Sequence, residues 1–182
     1  MLAALFQSVT LRTAGFSTVA QSGLTESGQA LSIVYMLIGG CSGSTAGGVK
    51  VGSACILCLA LRSSLSGSEV VTLRGRAIRP GQVFSALSLV LLVAMSAFLS
   101  ALCISFWEPC SFLSALFETA SAIATVGLSA NLTGSLSPLS CILVIVLMYL
   151  GRVGILAFSL SVLTRRRGKE KLKFPYVDML IG

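Results

Sequence analysis

The chain has 182 residues, 55% hydrophobic and 10% charged, with a mean hydropathy of +0.95. Soluble domains carry about a quarter charged residues, so this composition belongs in a lipid bilayer. There is no histidine, which excludes Ser-His and Cys-His nucleophiles and histidine metal centres. The acidic residues number only six and are scattered, which argues against a paired-carboxylate enzyme. The sequence therefore reads as a membrane protein that is not an enzyme and carries no cofactor.

Residues 1–12 begin "MLAALFQSVTL", with no basic leader and no cleavage site, so they are not read as a signal peptide. A full span needs roughly 20 apolar residues, and this run is too short. It leads directly into "RTAGF" at 12–16. Residues 29–61 are a longer apolar segment, broken by "GGCSGSTAGGVK" at 39–50. Residues 62–79 carry Arg62, Arg74, Arg76 and Arg79 against Glu69. Residues 83–106 form an uncharged span. Residues 111–124 are again short and run into "TVGLS" at 125–129. Residues 137–163 form another span, interrupted only by Arg152. The tail holds Arg165, Arg166, Arg167, Lys169, Lys171 and Lys173.

Short apolar helices that end in irregular backbone predict re-entrant segments. Such backbone is tolerated at membrane depth only when buried in protein or lining water. The positive-inside rule puts 62–82 and 164–182 in the cytoplasm and both Thr-x-Gly stretches on the outer side. The basic excess then serves orientation and lipid contact rather than nucleic acid. The cysteines sit mostly in apolar runs. Cys55-x-x-Cys58 has redox spacing but lies within a membrane-like helix, so packing is the expected role and no disulfide is implied.

The chain repeats itself. "ALFQSVTLRTAGFS" (4–17) answers "ALFETASAIATVGLS" (115–129), with one residue of slippage. Thr13 to Gly39 and Thr125 to Gly151 are both 26 residues apart. The unit is a short helix, a Thr-x-Gly loop, an outer loop and a long helix with a glycine at its middle. Both copies share one orientation, a parallel repeat. The predicted fold is an all-α membrane protein of tandem span–pore helix–span modules. Its parts are 1–66 (an incomplete module with a broken long helix), a basic connector 67–82, a second module 83–164 and a tail 165–182.

Glycine permits backbone angles other residues resist. A Thr-x-Gly strand can thus aim successive carbonyls at a pore axis and replace a cation's water shell. The short helix before each strand would point its partially negative end at the same place. The candidate ligands for K+ are the carbonyls of Thr13, Ala14, Gly15 and Phe16, and of Thr125, Val126, Gly127 and Leu128. The alternative is glycine used only for close helix packing.

The run at 39–50 holds five glycines between Gly39 and Gly48, each costing roughly 1 kcal/mol against alanine in a helix. Gly40, Ser42, Gly43, Ser44, Thr45, Gly47, Gly48 and Lys50 are read as a flexible intramembrane gate below the strands; a kinked helix is the alternative. A phosphate-binding loop is ruled out, because Gly48 is followed by Val-Lys-Val. Arg152, an intramembrane charge, is a functional candidate by default. It would project beneath the Thr-x-Gly strand; pairing with Glu118 or snorkelling are its other readings. Arg12 is expected behind the first strand, paired with Glu118.

These residues resemble the Ktr/Trk/HKT superfamily of K+ transporters over nearly the whole chain, with "TVGLS" and "GRVGIL" closest to the Ktr branch. "RTAGF" resembles the third module's filter and "FETASAIATVGLS" the fourth module's pore helix and filter. "GGCSGSTAGGVK" resembles the gating loop, "GRVGILAF" the last helix with its pore arginine, and "KFPYVDMLIG" the family's C-terminus. The resemblance implies K+ uptake across the inner (plasma) membrane, with or without Na+ linkage, by a homodimer bearing a cytoplasmic nucleotide-binding regulatory ring. Family members carry four modules. This chain is then part of a longer product, a half that pairs to complete four strands, or a non-conducting accessory subunit.

Overall fold

The computed structural model describes residues 2–41, 44, 46–68 and 70–154. Among them are six α-helices: α1 (Leu2–Thr10), α2 (Glu26–Leu37), α3 (Val51–Leu65), α4 (Pro80–Trp107), α5 (Phe112–Ile123) and α6 (Pro138–Val153). The basic tail and the later part of the expected 137–163 span lie outside the described residues.

Local chemistry sets the helix ends. Thr25 caps α2, its hydroxyl accepting from the Gly28 amide at 3.2 Å, and Glu26 sits in the first turn beside the helix's partially positive end. Pro80 and Pro138 open α4 and α6, where a missing N–H has no cost. The glycine run stops α2 at Leu37, and the helix resumes only at Val51. The expected broken helix is thus two helices.

α4 is long and apolar enough to cross a membrane. Its 28 residues reach about 42 Å, against a hydrocarbon core of roughly 30 Å. Exposed Phe84 lies near its start, and exposed Phe106 and Trp107 close its far end, the aromatic placement favoured at the two membrane surfaces. Ile142, Ile145 and Tyr149 of α6 and Leu91, Met95 and Leu99 of α4 are also exposed, an apolar surface suited to lipid.

α5 is the centre, packed against α2, α4 and α6. Its last eight residues include Phe117, Glu118, Thr119, Ala120, Ser121, Ala122 and Ile123, all buried. Facing it are Ala97, Ser100 and Ala101 of α4, also buried. Small residues on both sides let the backbones approach, which is how helices associate in lipid. The Thr119 hydroxyl donates to the Ala97 carbonyl across that contact at 3.1 Å. Val93, Ile104, Val144 and Leu147 fill one side of α5, and Leu11, Ile33, Met36 and Leu128 the other.

The basic connector 67–82 has local structure of its own. It holds a two-stranded hairpin, β1 (Thr72–Leu73) and β2 (Arg76–Ala77). Arg74 and Gly75 turn it with φ of 49° and 77°, the left-handed pair that matches strand twist. The cysteines are free, with Cys55 and Cys58 exposed on α3.

Glu108, just past α4, ties that helix to the start of α6. Its carboxylate accepts from the Ser137 amide at 2.7 Å and the Ser140 hydroxyl at 3.0 Å. Hydrogen bonds from the Ser137 side chain, the Ser137 amide and the Ser140 side chain hold its pKa below the ordinary 4.5. A depressed carboxyl pKa adds stability above the unfolded value, and that stability is lost as pH falls through the folded value. Glu108→Gln should therefore lower thermal stability at neutral pH and leave it nearly unchanged once Glu108 is protonated in both the folded and the unfolded state. A melting series in detergent, from neutral pH to below 4.5, checks this.

Candidate functional site

The two Thr-x-Gly stretches lie side by side and share one backbone pattern. Thr13 and Gly15 have φ of 67° and 75°; Thr125 and Gly127 have φ of 57° and 87°. Ala14 and Val126 between them, and Phe16 and Leu128 after them, stay on the negative side. The hand of the backbone thus alternates residue by residue in both copies. In an ordinary strand successive groups face opposite ways; alternating hand brings successive carbonyls to one side. A left-handed threonine is strained by roughly 1–2 kcal/mol, and such strain survives only where the surroundings enforce it.

Those surroundings are the ends of α1 and α5. The Ala14 and Gly15 amides donate back to the Thr10 carbonyl at 3.2 and 3.4 Å. The Thr125 and Val126 amides donate to Ala122 and Ser121 at 3.1 and 2.9 Å. Each threonine is therefore the left-handed residue that closes its helix. Val126 and Leu128 are buried as whole residues, at 4% and 3% exposure. Among the described residues no hydrogen bond ends on the carbonyls of Thr13, Ala14, Gly15, Thr125, Val126, Gly127 or Leu128. Phe16 differs: its carbonyl accepts from the buried Thr10 hydroxyl, and its ring is exposed. A Cβ on Gly15 would run into the Val126 carbonyl, whereas one on Gly127 meets open space.

The repeat also supplies a brace that the sequence reading missed. Gln7 and Glu118 hold equivalent positions, each after "ALF". Glu118 accepts from the Ser129 hydroxyl, the Ala130 amide at 3.1 Å and the Thr133 hydroxyl at 3.0 Å. Gln7 pairs with Gln21, its amide nitrogen 2.6 Å from the Gln21 oxygen. Gln21 in turn donates to the Val19 carbonyl at 2.9 Å and the Ser17 hydroxyl at 3.4 Å. Both braces hold the serine that follows a Thr-x-Gly stretch. The expected Arg12–Glu118 pair is corrected: Arg12 is exposed, and hydroxyl and amide donors occupy the carboxylate. Those donors need no counter-charge, and all lie on the loop the carboxylate already faces.

Of the glycine run, Ser42, Gly43 and Thr45 lie outside the described residues. The rest loops out between Ile38 and Val49, which pair as a parallel bridge. The Gly39 amide donates to Val49 at 2.8 Å, Val49 to Leu37 at 3.0 Å and Val51 to Gly40 at 3.2 Å. Lys50 reaches back to the Ser44 carbonyl at 2.9 Å. The Gly47 amide donates to the Thr125 hydroxyl at 2.9 Å. A Cβ on Gly47 would stand 2.7 Å from Thr125 Cγ2, and one on Gly48, whose φ is +68°, 3.3 Å from the Ala124 Cβ. The loop therefore sits against the base of the second stretch.

α6 meets the same place. A Cβ on Gly151 would overlap the Ile123 carbonyl at the end of α5, so Arg152, exposed, starts one residue from that junction. Gly39, the repeat's counterpart of Gly151, instead packs on Gly47 of its own loop. The two copies agree at Thr-x-Gly and part at the following glycine.

The chain matches the TrkH family, described as a cation transport protein, over residues 1–168. It is 34% identical to the potassium/sodium uptake protein NtpJ of Enterococcus hirae, covering 97% of this chain and 40% of that protein. It is 35% identical to the Ktr system potassium uptake protein B of Vibrio alginolyticus, over 100% of this chain and 39% of the relative. For the Ktr system potassium uptake protein B of Bacillus subtilis the identity is 30%, over 99% and 40%. The chain spans about two-fifths of the length of these relatives. Its relatives are cell-membrane transport proteins and not enzymes, and with a match this extensive the chain belongs to the TrkH family.

Proposed function

We propose that this chain forms two strands of a potassium-uptake filter, with α1 and α5 as re-entrant pore helices and the 39–50 loop as an intramembrane gate. The observation that carries the reading is the backbone of alternating hand at Thr13–Phe16 and again at Thr125–Leu128. Carbonyls turned to one side without hydrogen-bond partners are what a dehydrating cation needs. Phe16 keeps a second lone pair beside the Thr10 hydrogen bond. The names of the relatives, potassium uptake in two and potassium/sodium uptake in one, support K+ as cargo and leave Na+ as a second ion or partner in transport.

The loop acts as a gate because it rests on Thr125 and is built from glycines that allow close approach without fixing one conformation. Arg152 adds a fixed positive charge below the filter, which slows cations there. The basic connector faces the cytoplasm by the positive-inside rule, with the tail on the same side. A second copy supplies the two remaining strands, and a cytoplasmic nucleotide-binding ring regulates the assembly.

One observation favours a second reading, a membrane part that needs further polypeptide to conduct. Leu2, Leu5 and Val9 of α1 are 84%, 64% and 66% exposed, and Phe16 of the first strand 71%. Among the described residues, none covers that side of the filter.

Two experiments test the proposal, both on rubidium uptake by a potassium-uptake-deficient bacterium. Gly127→Ala suffers only the left-handed strain, about 1–2 kcal/mol, and should insert normally but carry several-fold less rubidium. Gly15→Ala adds the overlap with Val126 and should abolish uptake. Wild-type rates in both variants would defeat the filter reading; an inserted wild-type chain that carries none would favour the second reading. Separately, Gly47→Ala should push the loop off Thr125 and raise flux with K+ preference intact. Unchanged flux from normally inserted protein would remove the loop as a gate.

A further inference from the structure

Arg79 caps the N-terminal end of α4, the span-length helix, and it lines two cavities at once. One, of about 490 Å³, is apolar, walled by Val70, Val71, Ile78, Val83 and Phe84. It forms where the hairpin folds back on the start of α4, with the Ile78 amide donating to the Val71 carbonyl at 2.8 Å. The other, of about 400 Å³, lies between α3 and α4 and offers the side chains of Ser53, Gln82 and Ser85. Among the described residues neither lining contains an acid. Arg79 is exposed, and a guanidinium is a five-donor fork that fits phosphate oxygens two at a time.

An apolar slot, a polar slot and one cation between them, at the foot of a membrane helix, match an amphiphile with an anionic phosphate. We propose that this is a binding site for an anionic phospholipid. Its phosphate sits on Arg79, its glycerol and headgroup oxygens reach Gln82 and Ser85, and the upper part of one acyl chain lies against Val71, Val83 and Phe84. Anionic lipid is enriched in the cytoplasmic leaflet, and basic pockets between membrane helices on that side bind such headgroups. The leaflet rests on the orientation proposed above; the preference for an anionic headgroup does not.

Native mass spectrometry of the detergent-purified chain tests this. It would be titrated with phosphatidylglycerol and with phosphatidylcholine of identical acyl chains. Phosphatidylglycerol should bind about fivefold tighter, the factor expected of one arginine beside a net anionic lipid, because the choline cation offsets the phosphate charge in phosphatidylcholine. Arg79→Gln should erase that preference and Arg79→Lys retain part of it. Arg74→Gln, whose side chain lines a different cavity with Arg62, should leave it intact. Val83→Trp, which fills the apolar slot, should weaken both lipids and carries the test should Arg79→Gln not fold. Equal binding of the two lipids would overturn the proposal. So would equal losses in Arg79→Gln and Arg74→Gln, which mark net charge alone, or full displacement by inorganic phosphate at matched concentration, which marks an anion site with no acyl contribution. Leaflet assignment is read separately, from labelling of Gly81→Cys in intact cells beside the same chain without that substitution, both with the six native cysteines replaced by serine, so a wrong orientation and a wrong ligand give different results.

Discussion

A helix of twelve residues such as α5 rises about 18 Å and cannot cross a hydrocarbon core of roughly 30 Å. Its terminal carbonyls have no partners within the helix, and lipid offers none. The chain meets this constraint by turning back on itself. The amides of Ala124, Thr125 and Val126 return to Ala120, Ala122 and Ser121. That return puts Thr125 in the left-handed region, and the alternation through Gly127 follows. α1 closes the same way through Thr10. If α1 and α5 are the re-entrant helices proposed above, the strained strands are the consequence of ending a helix at membrane depth, and their open carbonyls are the by-product that transport can use.

Everything else holds that ending in place. α5 is walled by small residues so that α4 and α2 come close, and Thr119 fastens it to α4. Gly151 lets α6 touch its last carbonyl, and Gly47 and Gly48 let the loop touch Ala124 and Thr125. Above the strands, Glu118 and the Gln7–Gln21 pair fix the serines that follow. A change at any of these glycines acts on this region through steric contact and not through charge.

Much of this was legible in the sequence because its signals are local. The half-length apolar runs gave α1 and α5, the uncharged run gave α4, and the glycines at 39–48 gave the break between α2 and α3. The repeated Thr-x-Gly pointed to both stretches and to the freedom of Gly15 and Gly127, but not to the left-handed Thr13 and Thr125. What escaped depends on partners distant in the chain or on weak turn chemistry. The Glu118 brace is satisfied by Ser129 and Thr133, which, unlike Arg12, carry no charge to mark them as partners of a carboxylate. The aligned "ALFQ" and "ALFE" were the signal that could have found it. The 72–77 hairpin turns on Arg74-Gly75, where arginine replaces the asparagine or aspartate that usually marks such a turn. The different packing of Gly39 and Gly151 could not be read at all, since it depends on the loop that folds back only in the first copy.

The most direct measurement is anomalous scattering from crystals of the lipid-embedded protein soaked in thallium or rubidium. The account predicts peaks on the face formed by the carbonyls of Thr13–Phe16 and Thr125–Leu128, lost when sodium replaces the heavier ion. Ordered ion density elsewhere in the protein, with none along those carbonyls, would contradict it.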